Sequence, residues 1–199
     1  MIFLLDTSPK QGIANCGKEL NVPVGQLLTP LTRYRLQDAD LPWAIDNGAY
    51  SGFNERAFFA LLKREEHRKD QCKFVCLPDV VGDFDKTLDL FFQFYAQLIE
   101  WPIAFALQDG LQISLVPWQK ITAVFVGGTN KFKGSFVLWE CLKAAKTMNK
   151  WVHIGRVNTT NRYNYFCDIA DSCDGTGVSR YTHMRQSIAK RNDQKRMFP

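Results

Sequence analysis

Carboxylates follow several short apolar runs of this sequence, each at a point where a buried strand would end. Asp46 and Asp79 each follow such a run, and residues 171–177, which read DSCDGTG, hold Asp171 and Asp174. Carboxylates at the carboxyl ends of parallel strands meet at one edge of the sheet, where α/β proteins carry out their chemistry. The sequence therefore predicts an active site built from acids.

A carboxylate and an amide stand at the ends of two successive predicted strands. Asp79 follows the fourth apolar run, and Gln108 follows the fifth, where the sequence reads LQDG. On adjacent strands this pair suits the edge of guanine, because a carboxylate accepts hydrogen bonds from N1 and the exocyclic amine while an amide addresses O6. The pair therefore fits a pocket for a guanine-like base.

Other strand ends carry groups that could contact a ligand. Tyr50 follows Asp46 after a glycine turn, although Asp46 alone could simply cap that turn. Gly127 and Gly128 could let a planar ligand approach the backbone, or leave N–H groups available to bind an oxygen. They could also form only a tight turn. Arg156 stands where barrels often hold phosphate.

Eight apolar runs alternate with helical patterns along the whole chain. The predicted strands are 2–5, 25–28, 43–45, 73–77, 103–107, 123–126, 151–154 and 168–170. Most are continuously apolar, as expected for strands covered on both faces. Because a complete barrel typically needs about 250 residues, the alternation predicts one domain, residues 1–199, with a compact, somewhat reduced (β/α)8 TIM-like barrel fold.

Four helices are predicted between these strands. Asn54 caps one that runs to about Arg68, Asp83 caps the next, and two more cover residues 134–149 and 181–191. Residues 21–40 show little periodicity and hold two prolines. We expect most of that segment to be a loop over the barrel mouth, either a lid or a simple insertion.

The composition is that of a folded, soluble domain. Hydrophobic residues make up 46% and charged residues 23%, which argues against disorder. No apolar run approaches the ~20 residues of a membrane helix, and Asp6 interrupts the apolar start before a signal peptide could form. We expect a cytoplasmic protein without membrane contact.

The cysteines and His153 are expected to be core residues. The six cysteines form no CxxC pair and four lie in apolar segments, which favours reduced core thiols over disulfides or zinc ligands. His153 lies inside an apolar strand, where a hydrogen-bonded core histidine is more common than a catalytic one. We expect no metal and no cofactor.

The net charge of +5 is concentrated late in the chain. After residue 178, six lysines and arginines face only Asp193. Together with Lys131, Arg156 and Arg162, such cations could follow a phosphate backbone. The basic end could equally be the solvated face of a terminal helix.

Six short motifs stand in order at the ends of successive predicted strands between about Trp43 and Arg180. They read DNGAY, PDVVGD, LQDG, FVGGT, HIGRVN and DSCDGTG. Their shared order resembles the tRNA-guanine transglycosylase superfamily. The chain is most similar to the small phage and bacterial members that put 7-deazaguanine bases into DNA.

The resemblance implies a role for each matched residue. Asp174 would be the nucleophile, Asp46 the general acid/base, and Tyr50 the ring that stacks on the base. Asp171, three positions before Asp174, would complete a pair at the end of the last strand and contact the substrate.

Base recognition is implied in the same way. Asp79, Gln108 and the backbone of Gly127 and Gly128 correspond to the groups that recognise the guanine edge. Arg156 is also expected to bind the substrate, because of its position where barrels often hold phosphate.

The implied activity is that of a pentosyltransferase, which exchanges guanine in DNA for a free 7-deazaguanine base through an aspartyl-glycosyl intermediate. Members that act on tRNA carry a zinc site of three cysteines and a histidine after the nucleophile, whereas here only Cys173 and His183 lie nearby. We therefore expect a barrel without a zinc subdomain and DNA as the partner, in the host cytoplasm if the chain is phage-encoded.

Four alternatives stay open at this point. The chain could act on tRNA, could be a hydrolytic N-glycosylase, or could be a non-catalytic nucleic-acid-binding barrel. It could also work as a homodimer or with partner modification proteins.

Overall fold

Eight parallel strands close into a barrel in a computed structural model, which describes residues 1–6, 10–31 and 41–197. The strands β1 to β8 are Ile2–Leu5, Val24–Leu28, Trp43–Ile45, Cys72–Cys76, Ile103–Leu107, Ala123–Val126, Trp151–Ile154 and Ser172–Asp174. Each strand pairs with the next, and β8 pairs with β1 in the register Leu4 to Asp174. The predicted compact (β/α)8 barrel is confirmed. It is compact because its strands are short, and all eight are present.

Helices follow the strands around the outside of the barrel. Those in the described part, α1 to α8, are Lys10–Leu20, Glu55–Glu65, Phe84–Leu98, Asn130–Lys133, Phe136–Thr147, Thr160–Phe166, Thr176–Arg180 and Thr182–Met197. Short 3₁₀ turns cover Ala49–Ser51, Glu66–Gln71, Ile113–Leu115 and Trp118–Lys120. No helix among these residues is long and apolar enough to cross a membrane.

Side-chain caps fix where several helices begin. The Asn54 side chain accepts from the N–H of Ala57 at the start of α2, and Asp83 caps α3 in the same way. Both caps were predicted. The predicted helix 134–149 begins instead at Phe136, because Ser135 caps α5 and Gly134 ends the short helix α4.

The last strand lies four residues later than predicted. Residues 168–170 are not a strand, because the N–H groups of Ile169 and Ala170 both bond to the carbonyl of Phe166 and form the turn that ends α6. Strand β8 is Ser172–Asp174, so Asp171 precedes it and Asp174 ends it. The loop predicted over 21–40 contains strand β2, and its remaining part at 32–40 lies outside the described residues.

Apolar side chains form one layer between helices and strands and another inside the barrel. The inner layer combines small residues with two phenyl rings. Its small members are Ala44, Ala104, Ala106 and Ala123, and Phe74 and Phe125 fill the space between them. His153, which points into this layer, lies between those two rings at centroid distances of 4.9 and 4.8 Å.

Candidate active site

A cavity of about 610 Å³ opens at the carboxyl ends of the strands. Asp46 and Asp174 both line it, together with Tyr50, Arg156 and Arg162. The two carboxylates come from β3 and β8, which are not neighbours in the barrel. The fold therefore brings two predicted catalytic residues to one cavity.

Hydrogen bonds hold both oxygens of the Asp174 carboxylate. Oδ1 accepts from the main-chain N–H of Arg156 at 2.9 Å, and Oδ2 lies 2.9 Å from Nε2 of His153. His153 is fully buried, so it contacts Asp174 from inside the barrel. The carboxylate is thus oriented before any substrate binds.

Gly175 allows the loops after β7 and β8 to meet. Its φ of 154° suits glycine, and a Cβ there would overlap the carbonyl of Val157, lying 2.7 Å from its carbon. The N–H of Val157 in turn donates to the carbonyl oxygen of Asp174 at 2.6 Å. Two successive N–H groups, those of Arg156 and Val157, therefore bind Asp174.

Asp46 can remain protonated near neutral pH. Burial, followed by the charge of Asp174, raises the pKa of Asp46 from 3.8 to about 7. The N–H of Gly48, 3.2 Å from Oδ1, acts against that shift. A carboxyl group with this pKa can donate a proton and later take one back.

Two amides hold the carboxylate of Asp79. Nδ2 of Asn47 donates to Oδ1 at 2.7 Å, and Nε2 of Gln108 donates to Oδ2. Burial raises the pKa of Asp79, while both amides act to lower it. Sequence reasoning missed Asn47, although it stands in the DNGAY motif directly after Asp46.

Among the described residues, neither Asp79 nor Gln108 lines the cavity that holds Asp46 and Asp174, and Gln108 lies behind Asp79. Its side chain is 1% exposed, and its Oε1 accepts from the N–H of Gly82 at 2.9 Å. The prediction that its amide addresses a base directly is therefore wrong, because both ends of that amide already bind the protein. A Cβ on Gly127 would overlap the same amide, 2.9 Å from its Cδ, so Gly127 makes room for Gln108.

Arg156 links Gly128 to Tyr50. Its guanidinium donates to the carbonyl of Gly128 at 2.5 Å and lies 4.4 Å from the centre of the Tyr50 ring. Tyr50 is 70% exposed, and Gly128 has a left-handed φ of 68°. The ring predicted to stack on a base is here stacked with the arginine predicted to bind the substrate.

Asp171 lies at the opposite end of the barrel. It forms a salt bridge with Lys146 at 2.7 Å and accepts from the N–H of Val152 at 2.8 Å. The prediction that Asp171 contacts the substrate is wrong, because strand β8 separates it from Asp174 by three residues, or roughly 10 Å.

Several cations lie close together beside Asp174. Lys133 is 3% exposed and donates to the carbonyl of Gly155, and burial, helped by Arg156, lowers its pKa to about 7. Burial and Arg156 also lower the pKa of Arg162. Within the described residues neither arginine forms a salt bridge. Nothing in the sequence distinguished Lys133 from a surface lysine.

The basic C-terminal helix is partly engaged within the protein. Arg185 pairs with Glu19 and also donates to the carbonyl of Val178. Arg191 bonds to the sulfur of Cys167 and lies 4.0 Å from Asp168. These two arginines bind other parts of the barrel, so the cations beside Asp174 are better placed to meet a ligand.

Among the described residues no cluster of three or more His, Cys, Asp or Glu is placed to hold a metal ion.

Fold and site together define a (β/α)8 barrel with a carboxylate-lined cavity at the carboxyl ends of its strands. No protein-family model and no curated protein matches the sequence.

Solved structures share the barrel. CdNal from Clostridium difficile, in complex with mannosamine, has a TM-score of 0.53 and 13% identity over 99% of this chain and 77% of its own. Phosphoribosyl anthranilate isomerase from Thermus thermophilus has a TM-score of 0.51 and 10% identity over 98% of both chains. A mandelate oxidase mutant, with a TM-score of 0.51, is 9% identical over 95% of this chain and 70% of its own. At such identities these likenesses establish the fold alone.

Proposed function

We propose that this cavity breaks and re-forms an N-glycosidic bond, and that the protein is a DNA-guanine transglycosylase. The observation that carries the proposal is the pairing of two carboxyl groups in different environments. Asp174 is held by two hydrogen-bonding groups, whereas Asp46 has a pKa raised to about 7. Retaining glycosyl chemistry needs this division between a carboxylate nucleophile and a carboxylic acid.

The reaction follows from the two roles. An oxygen of Asp174 attacks C1′ of a deoxyguanosine while the C1′–N9 bond breaks, and Asp46 supplies the proton that guanine takes as it leaves. The product of this half is an ester between Asp174 and the sugar. The N9 of an incoming 7-deazaguanine then attacks C1′ and displaces Asp174, and its proton returns to Asp46. Asp46 therefore alternates between acid and base.

Asp79 supports guanine-type bases as substrates. The amides of Asn47 and Gln108 fix its carboxylate, and each carboxylate oxygen can accept more than one hydrogen bond. Guanine and 7-deazaguanine both present donors at N1 and the exocyclic amine, whereas adenine has no donor at N1. One recognition group thus serves the leaving and the incoming base, as an exchange reaction requires.

The cations beside Asp174 support a nucleic-acid substrate. Arg156 and Arg162 line the cavity, and within the described part neither is neutralised by a carboxylate. Phosphates that flank the target sugar would supply that charge. The target base must be flipped out of a duplex, or the strand must be single, for C1′ to reach Asp174.

We propose DNA rather than tRNA as the substrate because the chain most resembles the superfamily members that act on DNA. The order of the six motifs, from DNGAY to DSCDGTG, supports the same assignment.

One assay tests the proposal against its alternatives. DNA and tRNA carrying labelled guanine are incubated with the protein at matched salt, with and without a free 7-deazaguanine, and Asp174→Asn is the control. We expect label release from DNA that depends on the deazaguanine, together with its incorporation. Release without an added base would indicate a hydrolytic N-glycosylase, and labelling of tRNA a tRNA enzyme. Binding without release would indicate a non-catalytic barrel.

A further inference from the structure

His153 connects Asp174 to a chain of polar groups inside the barrel. Its Nε2 lies 2.9 Å from Oδ2 of Asp174, and its Nδ1 lies 2.8 Å from Oγ of Ser172. The ring is fully buried between Phe74 and Phe125. Both nitrogens therefore depend on these two protein partners.

The hydroxyl of Ser172 has a second partner, which fixes the direction of its hydrogen bonds. The indole Nε1 of Trp151 lies 2.8 Å from Oγ of Ser172. An indole N–H can only donate, so Ser172 accepts from Trp151 and keeps its own hydroxyl proton for another group. Among the described residues, Nδ1 of His153 is the other group within hydrogen-bond distance of Oγ, so it can accept that proton.

The two ends of this chain of hydrogen bonds, Trp151 and Asp174, determine which atom donates at each step. An ionised Asp174 can only accept, so Nε2 of His153 must carry a proton. In a neutral ring Nδ1 then has a lone pair, which accepts from the hydroxyl of Ser172. The opposite tautomer would set the lone pair of Nε2 against the carboxylate and leave the buried Ser172 proton without an acceptor, which is unfavourable.

We propose that the chain from Trp151 through Ser172 fixes the Nε2–H tautomer of His153, which makes His153 the positioning residue for Asp174. This inference rests on the proposed function. His153 transfers no proton and does not touch the substrate. The Nε2–H of His153, within strand β7, and the main-chain N–H of Arg156, just after that strand, hold the two carboxylate oxygens, so the plane of the nucleophile is set.

The same donor has a role in the second half of the exchange. When the incoming base displaces Asp174, negative charge returns to the carboxylate. A hydrogen bond from Nε2–H stabilises that charge and makes Asp174 a better leaving group. His153 should therefore affect the rate of chemistry and leave nucleic-acid affinity unchanged.

The tautomer itself can be measured without any assay of activity. In ¹⁵N-labelled protein, the chemical shifts of the His153 ring nitrogens distinguish the two tautomers, and His153→Gln assigns the signals among the three histidines. We expect a protonated Nε2 and an unprotonated Nδ1. A protonated Nδ1 would overturn the proposed direction of the chain, even if the wild-type protein showed no exchange activity.

Kinetics test the positioning role. His153→Leu removes the donor, and we expect kcat for exchange to fall about 10- to 100-fold with KM for DNA unchanged. His153→Gln can still donate to Asp174 and accept from Ser172, so it should recover most of that loss. Ser172→Ala removes the group that fixes the tautomer, so its kcat should lie between those of His153→Leu and His153→Gln.

Thermal unfolding of each variant provides the control for folding. If His153→Leu does not fold, the comparison of His153→Gln with Ser172→Ala decides. Exchange rates of the wild-type value in Ser172→Ala and His153→Leu, or a change in KM alone, would refute the positioning role. No exchange by the wild-type protein would refute the proposed function, separately from the tautomer.

Discussion

The main-chain N–H of Arg156 donates to Oδ1 of Asp174 over 2.9 Å from a left-handed conformation with a φ of 59°. For a residue other than glycine this conformation costs on the order of 1–2 kcal/mol. The same residue places its guanidinium on Tyr50. Arg156 thus serves the site through its main chain and its side chain, and substitutions can separate the two.

Arg156→Ala and Arg156→Gly should lose the same side-chain function but differ in stability. Both keep the N–H that holds Asp174, so kcat at saturating DNA should stay within a few-fold of the wild-type value. Both lose the proposed phosphate contact, which should lower the log–log salt slope of DNA binding by about one. Only the alanine retains backbone strain, so its Tm should be about 2–4 °C below that of the glycine variant. Equal Tm values would contradict this reading of Arg156.

Asp174→Asn should stop exchange and leave the fold intact, since an amide cannot serve as the nucleophile. We expect a loss of at least about 10³-fold in a single-turnover assay. Asp171→Asn is the matched control, because Asp171 pairs with Lys146 at the far end of the barrel. It should keep the exchange rate and lower Tm by only a few degrees. A loss of exchange in Asp171→Asn would contradict the conclusion that Asp171 lies outside the active site.

The pH dependence of guanine release should report Asp46. Its pKa is raised to about 7, and the acid must be protonated to help the base leave. The single-turnover rate should therefore fall as the pH rises through about 7, while Asp46→Asn is slow at every pH and shows no such step. A rate that rises across this range would assign the titration to another group.

The thermal stability of the protein should also depend on the protonation of Asp46, and the raised pKa defines the direction of the change with pH. The folded pKa of Asp46 lies above its ordinary value of 3.8, so its contribution is complete below about pH 4 and is lost as the pH rises through about 7. The Tm of Asp46→Asn relative to the wild-type protein should therefore be higher at pH 8 than at pH 5. Lys133 is present in both proteins, so its own titration cancels in the difference. A difference in Tm that does not change with pH would contradict the raised pKa.

Gly127→Ala should weaken base recognition without touching the base. The added Cβ would overlap the Gln108 amide, and Asp79 would lose one of its two amide donors. We expect Kd for free guanine to rise about 10-fold, as in Gln108→Ala. Gly134→Ala is the matched control, since its Cβ would meet only the carbonyl of Lys131 at 3.7 Å and that of Asn130 at 4.0 Å. Unchanged affinity in Gly127→Ala would show that Gln108 does not act through Asp79.

The order of strands and the carboxylates at their ends could be predicted from the sequence because both depend on local pattern. Continuous apolar runs predicted seven strands at or within one residue of their observed bounds, and short polar side chains before helices predicted the caps at Asn54 and Asp83. Asp46 directly follows β3, Asp174 ends β8, and Asp79 lies three residues after the end of β4. Because all eight strands of the barrel run in the same direction, their carboxyl ends and the acids near them lie at the same end of the barrel.

The errors arose where hydrogen-bond partners come from distant parts of the chain. Strand β8 has three residues, too few to outweigh the apolar turn that precedes it, and so Asp171 was assigned to the wrong end. Gln108 was correctly placed at a strand end, but nothing in the sequence shows that Gly82 and Asp79 occupy its amide. His153 was correctly predicted to be a buried, hydrogen-bonded residue, yet its partner Asp174 lies 21 positions away.

The two sides of the cavity differ in how closely their parts approach each other. The N–H groups of Arg156 and Val157 bind Asp174, and the carbonyl of Val157 leaves no space for a side chain on Gly175, so the loops after β7 and β8 are in direct contact. On the other side, the ring of Tyr50 is 70% exposed and is contacted by the Arg156 guanidinium, 4.4 Å from the ring centre. A related barrel could therefore bind a different base through changes on the Tyr50 side of the cavity, while it keeps Asp174 and the groups that hold it.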